Sequence, residues 1–267
     1  MPEGDTLHRT AAVLDRALRG EAIVRVEVGD ARFAELARRL DARSVVHVEA
    51  RGKNLLVHLD DDSAIWSHLR MTGSWHVYLP GEPWQRPTRQ RTIGLTTRRS
   101  VAVGFNVPVL EWLDAARLAR HPVLCALGPD LLAPTFDVAL AVARMRSVPL
   151  VALGEALVDQ RLVAGIGNVY KSELLFVLRL DPFAPVAAYD DTSLCALLER
   201  ARVELQRNLD GRPRRTRRDG AAQRHFVYGR RGEPCARCGH AIAVRSQGAA
   251  GRSTYWCATC QPAKRHA

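Results

Sequence analysis

Gly232-Glu-Pro-Cys-Ala-Arg-Cys-Gly239 and Gly251-Arg-Ser-Thr-Tyr-Trp-Cys-Ala-Thr-Cys-Gln261 carry the reading that decides the end of this fold. Cys235 and Cys238 form one Cys-x2-Cys pair, Cys257 and Cys260 a second, with eighteen residues between them. That spacing suits four thiolates on one zinc ion. A redox Cys-x2-Cys is the alternative, against which two matched pairs weigh. Four thiolates complete a tetrahedron and leave no place for water, so the expected metal is a single structural Zn2+. Between the pairs, Arg252, two hydroxyl residues and two aromatics suit a grip on phosphate. The competing reading of Arg252 is a plain surface charge.

Upstream of this module the stretch Gly211-Arg-Pro-Arg-Arg-Thr-Arg-Arg-Asp-Gly-Ala-Ala-Gln-Arg224 has no apolar period and reads as a basic loop. Before it, from about residue 113, helical spacing dominates. LDAARLAR, FDVALAVARMR, GEALVDQRLVAG, NVYKSELLFVLRL and TSLCALLERARVELQRNL all fit, and Leu194, Leu197, Leu198, Ala201 and Leu205 share one face. Residues 21–112 differ: short Val- and Ile-rich runs alternate with turns, Asp60-Asp-Asp-Ser63 being a hairpin turn. Residues 5–19 read as an amphipathic helix on Leu7, Ala11, Leu14 and Leu18, with Asp5 as its cap and Gly20 as its stop. The order is a helix, a β-rich domain, a helical domain, a basic loop and a cysteine module. This is an α+β chain of two main domains, with a ligand site expected between them.

Charge narrows the partner. Thirty-nine Lys and Arg against 28 Asp and Glu give +11 over 267 residues, mostly through arginine. Nucleic acid is the default polyanion for such a chain, and a solvated basic surface is the bland alternative. The sequence has no run of 18 apolar residues, which predicts no membrane span. Its start, Met1-Pro-Glu-Gly-Asp-Thr6, lacks a basic-then-apolar export pattern, so a cytoplasmic protein is expected. Cys125 and Cys195 stand apart in apolar surroundings as small buried hydrophobes.

Four further places could carry chemistry, each with an ordinary reading beside it. Pro2 follows the initiator Met. If Met1 is removed, a prolyl amine is exposed, and a terminal amine titrates near ~8, about two units below lysine. Glu3 supplies a carboxyl beside it; the ordinary reading is a simple helix start. Lys53, in Arg51-Gly-Lys-Asn54, sits at a turn where it could reach a phosphate or a sugar, or merely be solvated. In His68-Leu-Arg-Met-Thr-Gly73, Met71 beside Arg70 could act as a wedge between bases or pack locally. Gly165-Ile-Gly-Asn168 opens a helix whose free N–H groups suit an anion; Asn168 would cap that helix or contact phosphate.

Taken in order, MPEGDT (1–6), VEARGKNLL (48–56), SHLRMTGSW (67–75), HPVLCALGPDLL (121–132), LVDQRLVAGIGNVYKSELLF (157–176), GEPCARCG (232–239) and GRSTYWCATCQ (251–261) resemble the formamidopyrimidine-DNA glycosylase and endonuclease VIII family end to end. Gly4 is closer to the endonuclease VIII branch. The resemblance implies an N-terminal helix on a β-sandwich (1–116), a helix–two-turns–helix domain with the basic loop (121–222) and a zinc finger (223–264). It implies a bifunctional glycosylase and abasic-site lyase acting on damaged DNA, duplex or single-stranded, as a monomer, with oxidised pyrimidines first among its bases. Pro2 would be the amine nucleophile, Glu3 the general acid/base and Lys53 the hairpin lysine at the sugar-phosphate. Asn168 and Arg252 would clamp the phosphates flanking the lesion, with Arg252 also assisting catalysis. Arg70, Met71 and Thr72 would fill the gap left by the everted base. Strand cleavage would follow by β- and δ-elimination from a Schiff base. Thr6 stands where the family often has a second glutamate. The rival functions are a non-catalytic damage-binding protein on the same fold and a metal-dependent nuclease, for which no carboxylate or histidine cluster is visible in the sequence.

Overall fold

The structure, a computed structural model, describes residues 2–264. The chain divides into two compact units, Met1–Cys125 and Ala126–Ala267.

In the first unit, α1 (Gly4–Leu18) leads into two four-stranded antiparallel sheets. One has the order β1 (Arg25–Val28), β6 (Arg91–Thr96), β7 (Val101–Phe105), β5 (Ser74–Tyr78). The other runs β2 (Val45–Arg51), β3 (Asn54–Leu59), β4 (Ala64–His68), β8 (Val109–Leu113). Leu55, Val57, Leu59 and Ile65 from one sheet meet Ile93, Leu95 and Ala102 from the other. Leu7, Ala11, Leu14 and Leu18 of α1 join that core, which explains their four- and three-residue spacing. Gly20 follows the helix with φ +74°, a left-handed stop.

Two readings of this unit need correction. The N-cap of α1 is Glu3, not Asp5; Asp5 lies in the first turn, fully buried, and its Oδ1 accepts from Thr6 N at 2.7 Å. Residues 21–112 are also not all strand, because Ala34–Arg39 form a short helix α2. Its six residues bury only Leu36, too short an apolar stripe to register as a period.

The second unit is helical: α5 (Val138–Arg146), α6 (Leu153–Ala156), α7 (Asn168–Val177) and α8 (Asp191–Gln206), with the short α3 (Ala115–Ala119) and α4 (Pro122–Cys125) ending the first unit. Tyr170, Leu174 and Leu175 of α7 pack with Leu194, Leu197, Leu198 and Leu205 of α8. A hairpin, β9 (Ala243–Gln247) and β10 (Arg252–Trp256), carries the cysteine module. The expected helix over 154–165 is mostly a structured turn, because only Leu153–Ala156 is helical. Gln160 explains the rest. Its Nε2 donates to the carbonyls of Val158 and Ile166, both at 3.0 Å, and its Oε1 accepts from Gly165 N. Gly165 sits at φ +110°, where a side chain would be strained.

Candidate nucleic-acid interface and zinc ribbon

In the first unit the polypeptide brings its predicted residues to the start of α1, to the tip of the β2–β3 hairpin and to the loop that crosses from β4 of one sheet to β5 of the other. Pro2 precedes α1 and is half-buried; Glu3 beside it is completely buried. A carboxyl with no solvent exposure at a chain terminus is costly unless it is partnered. Met1, whose removal decides the state of the Pro2 amine, lies outside the described residues.

Lys53 sits at the tip of the β2–β3 hairpin, where Arg51 pairs with Asn54. Gly52 takes φ +58°, as the first central residue of a two-residue hairpin turn with this twist requires. Asn54 fixes the turn from below: its Nδ2 donates to Arg51 O at 3.0 Å and its Oδ1 accepts from Trp66 Nε1 at 3.1 Å. The sequence reading does not single out Asn54 as a supporting residue, and its place directly after the Gly-Lys pair is the signal that points to it.

Arg70, Met71 and Thr72 are all exposed on the loop after β4, with Met71 65% exposed. The loop is tight. Gly73 N donates to Leu69 O at 2.9 Å, Arg70 has φ +48°, and Arg70 N donates to His68 Nδ1 at 3.1 Å. Burial, then the charges of Arg70 and Lys53, hold the His68 imidazole down at about 4. A neutral ring keeps the lone pair that this loop uses. Lys53 and Arg70 therefore act on one small region, although they come from different turns.

In the second unit α7 is the spine. Asn168 is its first residue, and Gly167 is the N-cap, so Asn168 does not cap the helix. Its Nδ2 instead donates to Ser253 O at 2.6 Å, and its buried Oδ1 has no hydrogen-bond partner. Lys171, one turn on and almost wholly buried, donates to the same carbonyl at 3.3 Å and to Thr254 Oγ1 at 2.7 Å. Asn168 and Arg252, predicted as a pair, are thus brought together through β10. Arg252 is exposed at the start of that strand, with Nη1 3.3 Å from Val158 O. At the other end of α7, Arg237, from within Cys-Ala-Arg-Cys, donates to the carbonyls of Phe176 at 2.6 Å and Val177 at 2.9 Å. It meets carbonyls that a helix end leaves unpaired.

Cys235, Cys238, Cys257 and Cys260 converge with their sulfurs within 4.8 Å of one another. The Cys235–Cys260 and Cys238–Cys257 separations are 3.8 and 3.4 Å. Tetrahedral zinc with bonds of about 2.3 Å sets sulfurs about 3.8 Å apart, so the donor set fits one such ion. A backbone hydrogen bond from His240 holds the Cys238 thiol down at about 6. Burial and the neighbouring thiols push Cys260 up to about 12, a crowding that a cation relieves. Cys235 and Cys257 pack with Phe176, Val227 and Ile242, so the metal module and α7 share a core. Glu173 of α7 adds a tie. It is buried, and it accepts from Phe226 N at 2.7 Å, from Val227 N and Tyr228 N at 2.8 Å each, and from the Thr216 hydroxyl. This carboxylate ties the basic loop, through Thr216, to the stretch that follows it, through Phe226, Val227 and Tyr228. Helical periodicity gave no hint of it, since a core-facing Glu breaks the apolar pattern.

A sandwich led by a helix, a helical unit and a four-cysteine ribbon docked on one helix together define a class of nucleic-acid enzymes. Residues 1–108 match the formamidopyrimidine-DNA glycosylase N-terminal domain, 127–216 the H2TH domain of the same enzymes, and 232–263 the zinc finger found in FPG and IleRS. The probable endonuclease 8 2 of Streptomyces coelicolor is 43% identical over 98% of this chain and 94% of its own length. The DNA-(apurinic or apyrimidinic site) lyase Nei2 of Mycolicibacterium smegmatis is 40% identical, covering 98% of this chain and 100% of its own. Endonuclease 8 of Escherichia coli is 32% identical at the same coverage. Lactococcus lactis formamidopyrimidine DNA glycosylase, solved with an AP-site-containing DNA, shares the fold at a TM-score of 0.80 and 24% identity, over 98% of this chain and 100% of that one. The chain belongs to the formamidopyrimidine-DNA glycosylase family, and these relatives place it beside the proteins named endonuclease 8. Its structural cofactor is one zinc ion on the ribbon.

Proposed function

We propose that this protein is a bifunctional DNA glycosylase and abasic-site lyase of base excision repair, using the amine of Pro2 as its nucleophile. The observation that carries the reading is the fully buried Glu3 carboxyl directly after a proline that Met1 removal makes N-terminal. The Pro2 nitrogen adds to the anomeric carbon of the damaged nucleotide as the base departs with a proton, Glu3 serving in proton transfer. Ring opening leaves an iminium, which acidifies the adjacent sugar C–H; loss of that proton expels the 3′ phosphate, and a second elimination expels the 5′ phosphate.

The other residues bind and orient. Lys53, on its rigid hairpin, serves the sugar-phosphate. Asn168 and Arg252 clamp flanking phosphates, with Arg252 also assisting catalysis, and the engagement of Asn168 with Ser253 O is exchanged for phosphate on binding. Met71, with Arg70 and Thr72, occupies the gap left by the everted base. The zinc supplies no chemistry; its four thiolates hold β10 and Arg252 in place. We assign the functional boundaries as 1–116, 121–222 and 223–264, and read the substrate as damaged DNA, duplex or single-stranded, with oxidised pyrimidines preferred. The enzyme works as a monomer with the DNA in the cytoplasm. Among the described residues no helix is long and apolar enough to cross a membrane.

Borohydride added during incubation with an abasic duplex tests this reading. A covalent protein–DNA product is expected from the wild type and none from Pro2→Gly. Cleavage of the duplex with no trappable product would overturn it.

A further inference from the structure

Strand β2 is the edge of its sheet, and it is irregular. Val45 pairs with Leu59, but the next pair is His47 with His58, so two steps of β2 oppose one of β3. Such a bulge re-aims side chains. In an unbroken strand His47 would share the face of Val45. Here Val45 and Val48 are both in the core, at 1% and 6% exposure, and His47 lies on the opposite face with Glu49. His58, on β3, is on that outer face too.

The bulge therefore gathers three donors. Side-chain ligand atoms of His47, Glu49 and His58 all lie within 4.8 Å of one another. The two imidazoles stack with centroids 4.2 Å apart and planes 9° from parallel. His58 Nε2 is 2.9 Å from Glu49 Oε1. All three side chains are half-buried, so an ion can enter from solvent yet finds its ligands held by two hydrogen-bonded strands. Two imidazole nitrogens and one carboxylate oxygen suit zinc and similar borderline divalent ions, with the remaining position left for water. One neighbour competes: the Arg51 guanidinium lies 2.7 Å from the same Glu49 oxygen. An ion must displace it, which makes this site weaker than the cysteine ribbon.

We propose that His47, Glu49 and His58 form a second, exchangeable zinc-class metal site on the outer face of the β2–β3 hairpin. A bound ion ties the two strands together below the turn that carries Lys53, and so stiffens the hairpin without entering the cysteine ribbon.

The test uses untagged, zinc-loaded full-length protein titrated with ZnCl2 by calorimetry. One further equivalent per chain is expected, with a melting temperature that rises on zinc addition. His47→Asn and His58→Asn should each weaken that equivalent at least tenfold and remove the rise, while leaving the ribbon zinc in place. A wild-type readout covers the case of a variant that does not fold: zinc should protect His47 and His58 from acylation by diethylpyrocarbonate, as mapped by mass spectrometry. No further equivalent, an equivalent bound with unchanged affinity by His47→Asn and His58→Asn, or unprotected histidines would each overturn the proposal.

Discussion

Glu173→Gln changes one buried atom and should be disproportionately damaging. In the wild type one carboxylate oxygen accepts from Val227 N and Tyr228 N, and the other from Phe226 N and the Thr216 hydroxyl. Glutamine keeps the shape but must turn an NH2 toward one of these donor pairs. Whichever side it chooses, at least one N–H loses its acceptor, the bonds that remain lose their charge assistance, and two donors face each other. Hydrogen bonds to charged groups contribute about 1.5–3 kcal/mol each, and a buried donor left unmade costs about 1–3 kcal/mol. Because the bonds share one carboxylate they do not add, and a loss of about 3 kcal/mol is expected for Gln, with about 4 kcal/mol for Ala. The effect should be local. Hydrogen exchange at Phe226, Val227 and Tyr228 should quicken about a hundredfold, since about 1.4 kcal/mol is a factor of ten, while the sandwich amides stay unchanged. DNA binding should fall as the segment between basic loop and ribbon loosens. Exchange at these amides within threefold of wild type in Glu173→Gln would refute the reasoning.

Other consequences follow from the same geometry. Stripping the ribbon zinc with a strong chelator should weaken DNA binding at least tenfold and expose the Phe176–Val227 core to a hydrophobic dye, while α-helical circular dichroism largely persists; unaltered binding by zinc-free protein would contradict the docking of β10 on α7. Arg252→Ala should reduce the slope of log affinity against log salt by about 0.9, the signature of one lost phosphate contact, and a parallel salt dependence would make Arg252 a bystander. For His68 the folded value, about 4, lies below the ordinary 6.5. Above pH 6.5 neither state binds the proton and the residue contributes nothing to pH dependence. From 6.5 down to about 4 the unfolded chain takes it up and the native one does not, so stability falls. The group is partly exposed, which limits the loss to about 2 kcal/mol, and His68→Gln should flatten this limb of the acid melt; an identical limb in the variant would remove His68 as its source.

The parts of the fold legible in the sequence are those where one local rule suffices. The cysteine spacing defined the ribbon because zinc tolerates few arrangements. The stripe of Leu7, Ala11, Leu14 and Leu18 defined α1 because the sandwich core accepts one helix face. The short apolar runs of 44–50 and 54–59 defined the strands on either side of the Lys53 turn, although the bulge at His47 could not be foreseen, since register belongs to the partner strand as much as to β2. What stayed hidden depends on partners far along the chain. Gln160 shapes a turn where the spacing suggested helix, Glu173 reaches residues more than fifty positions on, and the buried Lys171 donates to Ser253 O and Thr254 Oγ1, more than eighty positions on. Of the two roles open to Asn168, the helix cap falls to Gly167, because the Asn168 amide holds β10 through Ser253 O instead. Pro2 and Glu3 were legible only together with the rest of the family pattern, because a proline and an acid before a helix are ordinary in themselves.

In the proposed mechanism the reacting atom is the nitrogen of Pro2. Protein trapped by borohydride on an abasic duplex, digested with trypsin and nuclease and sequenced by mass spectrometry, tests it most directly. A sugar-phosphate remnant is expected on the peptide Pro2–Arg9, with Met1 absent from every modified copy. A remnant on Lys53, or on a peptide that still carries Met1, would contradict it.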